Sequence, residues 1–209
     1  MIRLYGKVPN NITVACSGGP DSMAALDFFR RGRKNVSIAH FDHGTEHARV
    51  ARHFVESYAQ REDIPIHVGA LQGDRPRDQS LEEWWSGQRN AWFQSLPGTV
   101  VTGHNLDDAV EWWLYTSMHG RPRLIPRYRN NVIRPMLLAP KAALEVWCGR
   151  HDVPYVIDPS NLDGPHMRTI VRRNIVPHAL KINPGLHKVV RKMLENAEKY
   201  CKTSCCILQ

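Results

Sequence analysis

The stretch VACSGGPDSMAAL, Val14–Leu26, is a short apolar strand that runs into Ser17-Gly18-Gly19-Pro20-Asp21-Ser22 and leaves as a helix. Two glycines between a strand and a helix let backbone N–H groups turn toward a ligand, and the positive helix N-terminus behind them favours an anion. Pro20 suits the first helical turn, where its missing N–H costs nothing. The loop has neither a Gly-Lys-Ser/Thr ending nor the third glycine of the dinucleotide spacing. It therefore predicts a phosphate cradle belonging to a different nucleotide chemistry.

Outward from this loop, apolar stretches alternate with helical patterns. Strands are expected over 11–16, 36–40, 64–68 and 99–103, and helices over 23–31, 48–61, 80–93 and 107–118. The alternation predicts an α/β domain with a parallel sheet. Ligands of such sheets sit at the carboxyl ends of the strands. The 17–22 loop, the 40–43 segment and His104 all follow strand ends, so they are expected to converge on one crevice. From Gly120 onward the pattern turns irregular and rich in Arg and Pro, until a further helix with Lys188, Arg191, Lys192 and Lys199 is expected over 186–200.

A net charge of +8 over 209 residues points to a polyanionic partner, with nucleic acid ahead of an anionic membrane. No apolar run approaches the roughly 20 residues that span a bilayer, and the N-terminus has no secretory core, so a cytoplasmic protein is expected. The five cysteines are odd in number and lack paired C-x-x-C spacing, which argues against a disulfide framework and a structural zinc. The final Cys206-Ile207-Leu208-Gln209 fits the loose prenylation pattern, but a frayed tail is the better reading.

The second informative stretch is TGHNLDDAVEWWLYTSMHG, Thr102–Gly120. At about 100° per residue His104, Asp108 and Glu111 share one stripe, with Leu106, Val110, Trp113, Leu114 and Ser117 opposite, so the polar stripe is expected to face away from the core. Acidic residues in a first turn also complement the helix macrodipole. The position of His104 directly after a strand favours chemistry: carboxylates there hold Mg²⁺ against phosphates or position an amine nucleophile.

The SGGPDS loop resembles the PP-loop signature of ATP pyrophosphatases, which cleave between the α- and β-phosphates. With AHFDHG, SLEEWWSGQRNAWF, TGHNLDDAVE, IRPMLLAPKAALEVWC, VPYVIDPSNLD and MRTIVRRNIVPHALKINP in this order, the chain is similar from about Ile12 to Pro184 to the tRNA(Ile)-lysidine synthetase family. The resemblance implies a Rossmann-like PP-loop domain over residues 1–185, with a mostly parallel sheet and helices on both faces, followed by a basic helical tail over 186–209. It also implies an ATP- and Mg²⁺-dependent ligase. In that family the wobble cytidine of a tRNA(Ile) with a CAU anticodon is adenylated at C2, and the ε-amine of L-lysine then displaces AMP.

By this resemblance Ser17, Gly18, Gly19, Pro20, Asp21 and Ser22 bind ATP, with His40, Phe41 and His43 bordering the adenosine. Asp21, His104, Asp108, Glu111, Arg168 and Arg172 are the expected catalytic residues, with Asp21 and Asp108 as metal ligands. Arg89, Arg172, Arg173, Lys188, Arg191 and Lys192 are the expected tRNA contacts. Arg168 and Arg172, four apart, share a face if helical and suit a phosphate or a developing negative charge. The Asp158-Pro159-Ser160-Asn161 stretch also reads as a plain turn. Thr169 stands where the family usually has asparagine, and family members usually continue into tRNA-recognition domains, so a short form is expected. A PP-loop enzyme adenylating another base with another nucleophile, and a non-catalytic tRNA binder, stay open, as does homo-oligomerisation. Sulfur transfer ranks low, because Cys16 belongs to a buried strand and Cys201, Cys205 and Cys206 lie far along the chain.

Overall fold

Strands β1 (Asn11–Ala15), β2 (Asn35–Asp42), β3 (Ile66–Ala70), β4 (Val100–Thr102), β5 (Tyr128–Arg129) and β6 (Val132–Ile133) form one sheet in the order β3-β2-β1-β4-β6-β5. All neighbours are parallel except the β5–β6 hairpin. The computed structural model describes residues 1–157 and 167–205, so the 158–161 turn and the terminal Cys206–Gln209 pattern lie outside the described residues. Helices are α1 (Pro20–Arg31), α2 (Glu46–Arg61), α3 (Leu81–Ser95), α4 (Leu106–Met118), α5 (Lys141–His151), α6 (Met167–Ile170), α7 (Val176–Ile182) and α8 (Leu186–Cys205), with a π-helical turn at Val171–Ile175 between α6 and α7.

Side-chain alternation along the strands divides the core. Ile12, Val14, Ile38, Val101 and Ile133 point to one face, where they pack with Met23, Leu26 and Phe29 of α1, Val55 and Tyr58 of α2, and Leu144 and Cys148 of α5. Ala15, Ala39, Val100 and Val132 point to the other, against Trp92 and Phe93 of α3. The sheet is therefore covered on both sides, which is why its central strands read as near-continuous apolar runs. A further cluster joins Leu106, Ala109 and Val110 of α4 to Leu186, Val190 and Leu194 of α8, with Tyr5, Ile125 and Leu137. The Tyr5 hydroxyl donates to the Leu194 carbonyl at 2.6 Å, so the basic C-terminal helix packs against α4 along one side. Among the described residues no helix is long and apolar enough to cross a membrane.

The α/β expectation holds, and the differences have local causes. Helix α1 starts at Pro20, three residues before the expected 23, because proline is preset for the first helical position. Strand β3 starts at Ile66, two residues late, because the Ile64 N–H is bonded back to the Ala59 carbonyl at the end of α2. The hairpin, α5 and the 167–182 segment lack the long periodicity that marks an element in sequence.

Asp107 joins three helices. Its Oδ2 accepts from the Lys141 N–H at 2.7 Å, and its Oδ1 lies 3.1 Å from His187 Nε2 on α8. The N-cap of α5 is Pro140, which offers no side-chain oxygen, so the carboxylate from α4 caps that helix in its place. Burial pushes the Asp107 pKa up, but the His187 ring and the Lys141 N–H outweigh it and hold the carboxyl below its ordinary value. Asp107→Ala is expected to cost about 0.5–2 kcal/mol, as other lost caps do, and to lower Tm by a few degrees in thermal denaturation. Asp107→Asn, which keeps an acceptor, is expected to lose less; equal loss in both would remove the capping role.

Candidate active site

The sheet order reverses at β1, with β2 on one side and β4 on the other, and open α/β sheets place ligands at the carboxyl ends beside such a switch. The 17–22 loop leaves β1 at that edge. Gly18 takes a left-handed φ of +85°, and a Cβ there would lie 2.9 Å from Val156 Cγ2, so both the turn and the packing require glycine. The Gly18 carbonyl also accepts from the Val156 N–H at 2.9 Å, tying the loop to the segment after α5. Ser22 Oγ donates to the Gly19 carbonyl at 2.9 Å and accepts from the Ser17 N–H at 3.2 Å, with Ser17 Oγ 3.3 Å away. These bonds close the loop over the first turn of α1, the arrangement that suits an anion.

From β2 come His40, Phe41 and His43. His40 Nδ1 donates to the Cys16 carbonyl at 2.8 Å, which leaves its buried Nε2 as an acceptor without a partner among the described residues. Burial holds His40 below its ordinary pKa. His43 packs edge-on to Phe41 at 5.1 Å and against Trp85 at 5.2 Å. Burial, followed by the charge of Arg89, pushes its pKa down to about 4. Arg89 is drawn inward on α3, beside His43, and burial and the charge of Arg168 lower its pKa.

From β4 come Gly103 and His104. A Cβ at Gly103 would lie 3.0 Å from the Asp21 carbonyl, so this glycine lets the β4 loop approach α1. His104 lies before the N-cap, off the helix, with Nδ1 2.8 Å from Thr102 Oγ1. Burial pushes its pKa down to about 4, aided by Arg134, Arg89 and Arg168 and opposed by Asp108. Asn105 and Asp108 form a reciprocal capping box: Asn105 Oδ1 accepts from the Asp108 N–H at 3.2 Å, and Asp108 Oδ2 accepts from the Asn105 N–H at 3.0 Å. Asp108 thus serves the helix end and the site together.

The expectation that the polar stripe of α4 faces away from the core is corrected at Glu111, which is only 2 % exposed. Its Oε1 accepts from Arg168 Nε at 3.0 Å and its Oε2 from Arg172 Nε at 2.7 Å, while Arg172 Nη2 reaches Asp108 Oδ1 at 3.3 Å. A buried carboxylate must be paired, and the two arginines, brought to one face by α6 and the π-helical turn, supply the pairing. Periodicity on one helix did not reveal the second helical segment that covers it. Arg168 also lies 5.7 Å over Trp112 and 3.8 Å from Glu82. Arg173 is exposed, as are Lys188 and Lys192, whereas Arg191 is half-buried. Sequence reasoning missed Asn105, although Asn-x-x-Asp before an apolar run is itself a capping signal; Val156 and Glu82 carry no such signal.

Burial and the charge of Asp108 push the Asp21 carboxyl up to about 6, and its buried Oδ1 has no hydrogen-bond partner among the described residues. Two repelling carboxylates with one unpaired buried oxygen are a donor set that a hard divalent cation fits. Among the described residues no group of three or more His, Cys, Asp or Glu side chains is placed to hold a metal ion.

Residues 3–179 match the PP-loop domain family. The chain belongs to that family. The PP-loop chain is 27% identical to a tRNA(Ile)-lysidine synthase of Staphylococcus aureus (strain COL) over 190 residues, 81% of this chain and 44% of that protein. It is 27% identical to the tRNA(Ile)-lysidine synthase of Thermosipho africanus, covering 93% of this chain and 50% of that one, and 26% identical to that of Francisella tularensis subsp. novicida, covering 96% and 53%. The chain thus spans about half the length of the curated relatives it matches. Among solved structures, the U34-tRNA thiolase NcsA from Methanococcus maripaludis with its [4Fe-4S] cluster superposes with a TM-score of 0.71 at 14% identity, covering 91% of this chain and 73% of that one, a likeness of fold.

The raised Asp21 pKa has a testable consequence. The folded chain keeps a proton between the ordinary value of 3.8 and about 6 that the unfolded chain releases, so this group's stabilising contribution is full at lower pH and lost as pH rises through about 6. A ¹³C carboxyl titration is expected to place the Asp21 midpoint near 6, and Asp108→Asn to lower it only part of the way, because burial is the larger cause. A midpoint unmoved by Asp108→Asn would separate the two carboxylates.

Proposed function

We propose that this chain uses ATP and Mg²⁺ to convert the wobble cytidine of a tRNA(Ile) with a CAU anticodon to lysidine. The observation that carries the reading is the meeting of the Asp21 loop with the Asp108–Glu111–Arg168–Arg172 network at the carboxyl edge of the sheet. The likeness to lysidine synthases supports the same reading.

In this mechanism the N–H groups of Ser17, Gly18 and Gly19 and the hydroxyls of Ser17 and Ser22 hold the phosphates, Pro20 sets the first turn of α1, and His40 and Phe41 border the adenosine. Asp21 and Asp108 hold Mg²⁺, which neutralises phosphate charge when bound. Cytidine O2 attacks the α-phosphorus and pyrophosphate leaves. The ε-amine of L-lysine then attacks C2, and AMP departs with the former O2. Asp108 orients the amine, Glu111 acts from beneath by holding Arg168 and Arg172, and His104, neutral at pH 7, accepts the proton the nitrogen gives up. Arg168 and Arg172 spend their Nε donors on Glu111, and Arg172 also spends Nη2 on Asp108, so their other terminal nitrogens meet the charge that develops on the phosphate. Arg89, Arg172, Arg173, Lys188, Arg191 and Lys192 contact the tRNA.

Sulfur chemistry is disfavoured at Cys16 and Cys148. Burial pushes the Cys16 thiol well above its ordinary value and that of Cys148 up to about 11, whereas a reactive cysteine is a thiolate.

Mass spectrometry of nucleosides from tRNA(Ile) incubated with the chain, ATP and lysine is expected to show lysidine together with AMP. Asp21→Asn is expected to lower AMP formation by about 100-fold or more, the scale of losing one electrostatic contact to a transition state. AMP without lysidine would transfer the reading to another nucleophile, and tRNA binding without either product would make the chain a binder.

A further inference from the structure

Between Glu111 and Glu145 the chain carries no acidic residue, yet it holds Arg121, Arg123, Arg127, Arg129, Arg134 and Lys141. In most proteins both signs are interspersed on the surface, so 33 residues with six cations and no anion are a strong local bias. The fold gives it a shape. Helix α4 carries Asp108 in its first turn at the site and ends at Met118, about 15 Å further along at 1.5 Å per residue. Beyond it the Arg121 and Arg123 N–H groups bond back to the Thr116 carbonyl and Thr116 Oγ1, at 3.1 and 2.9 Å, which fixes the turn while both residues stay exposed. The chain then returns to the sheet edge through the β5–β6 hairpin, where Tyr128 pairs in register with Ile133 and Ile133 with Val101 of β4.

The returning segment is braced from beneath. Arg134, only 8 % exposed, donates from Nη1 to the Pro126 carbonyl at 2.9 Å, and its N–H donates to the Arg127 carbonyl at 2.9 Å. Arg127 lies 4.4 Å over the Tyr128 ring and donates to the Lys7 carbonyl. Tyr128 nevertheless remains 54 % exposed, and Arg129 and Asn130 beside it are exposed as well. An exposed aromatic ring flanked by arginines on a braced hairpin suits a nucleic-acid backbone and an unstacked base.

We propose that residues 121–129 form a backbone-binding ribbon for RNA, running from the β5–β6 hairpin at the edge of the sheet to the outer end of α4, with Arg121, Arg123 and Arg129 on phosphates and Tyr128 stacking on a base. The inference rests on the tRNA reading above and adds a contact surface to it. A stem that presents one nucleotide to the site lies along α4, and ribbon cations about 15 Å or more out engage its phosphates. Backbone contacts of this kind position the substrate without reading its sequence.

The test compares the wild-type chain with Arg121→Gln/Arg123→Gln/Arg129→Gln and the corresponding triple Lys variant. Each is titrated with a fluorescent anticodon stem-loop of tRNA(Ile) across a salt series, with circular dichroism and Tm confirming the fold. Three lost phosphate contacts are expected to make the slope of log K against log salt shallower by about 2 in the Gln variant. The Lys variant is expected to keep the wild-type slope, and Tyr128→Ala to weaken binding about fivefold or more with the slope unchanged. An unchanged slope in the Gln variant overturns the ribbon, even where lysidine still forms. So does a ribbon-dependent co-sedimentation with phosphatidylglycerol vesicles while RNA binding stays intact. A shallower slope in the Gln variant with AMP but no lysidine supports the ribbon and overturns the lysidine reading; no stem-loop binding by the wild type overturns both.

Discussion

The carboxylate of Glu111 is the constraint around which the site is arranged. At 2 % exposure it cannot stand uncompensated, since breaking a buried ion pair by removing one partner typically costs 3–5 kcal/mol. Both its oxygens are satisfied by arginines more than fifty residues later in the chain. That requirement draws the 167–182 segment across α4 and turns two flexible cations into oriented donors. The π-helical turn at Val171–Ile175 lies at Arg172, as π-bulges often do at functional positions. Arg168 and Arg172 remain partly exposed on their outer sides, so the same network faces solvent where a substrate would arrive.

Around that network the site is assembled from close backbone approaches. Gly18 admits Val156, Gly103 admits the Asp21 carbonyl, and a Cβ at Gly69 would sit 2.4 Å from the Trp92 indole. Each approach brings backbone nearer to a neighbouring segment than a side chain would allow. The resulting interior is buried, and burial shifts its titratable groups in opposite senses: His43 and His104 down to about 4, Asp21 up to about 6. Neutral imidazoles and a reluctant carboxylate thus meet at one sheet edge, with burial the larger cause of each shift.

Much of this was legible in the chain. The strand–SGGPDS–helix junction and the regular alternation to Met118 contain the α/β topology, because apolar period and glycine placement are local properties. The grouping of His104, Asp108 and Glu111 was legible as well, and Asp108 occupies the capping position that an acidic first turn suggests. The direction in which Glu111 points was not. On an isolated helix a carboxylate stripe reads as the solvated face, and only a partner segment converts it into a buried one.

The sequence by itself determined the parallel α/β order, the phosphate-directed loop and the excess of positive charge, since these follow from residue type and spacing. Tertiary structure alone decided that Asp107 caps α5 from another helix, that Arg168 and Arg172 meet Glu111, and that Arg134 braces the hairpin carrying Arg127 and Arg129. Those facts depend on pairs separated by as many as 61 residues, whose meeting is set by how layers pack and where a buried charge must find its counterion.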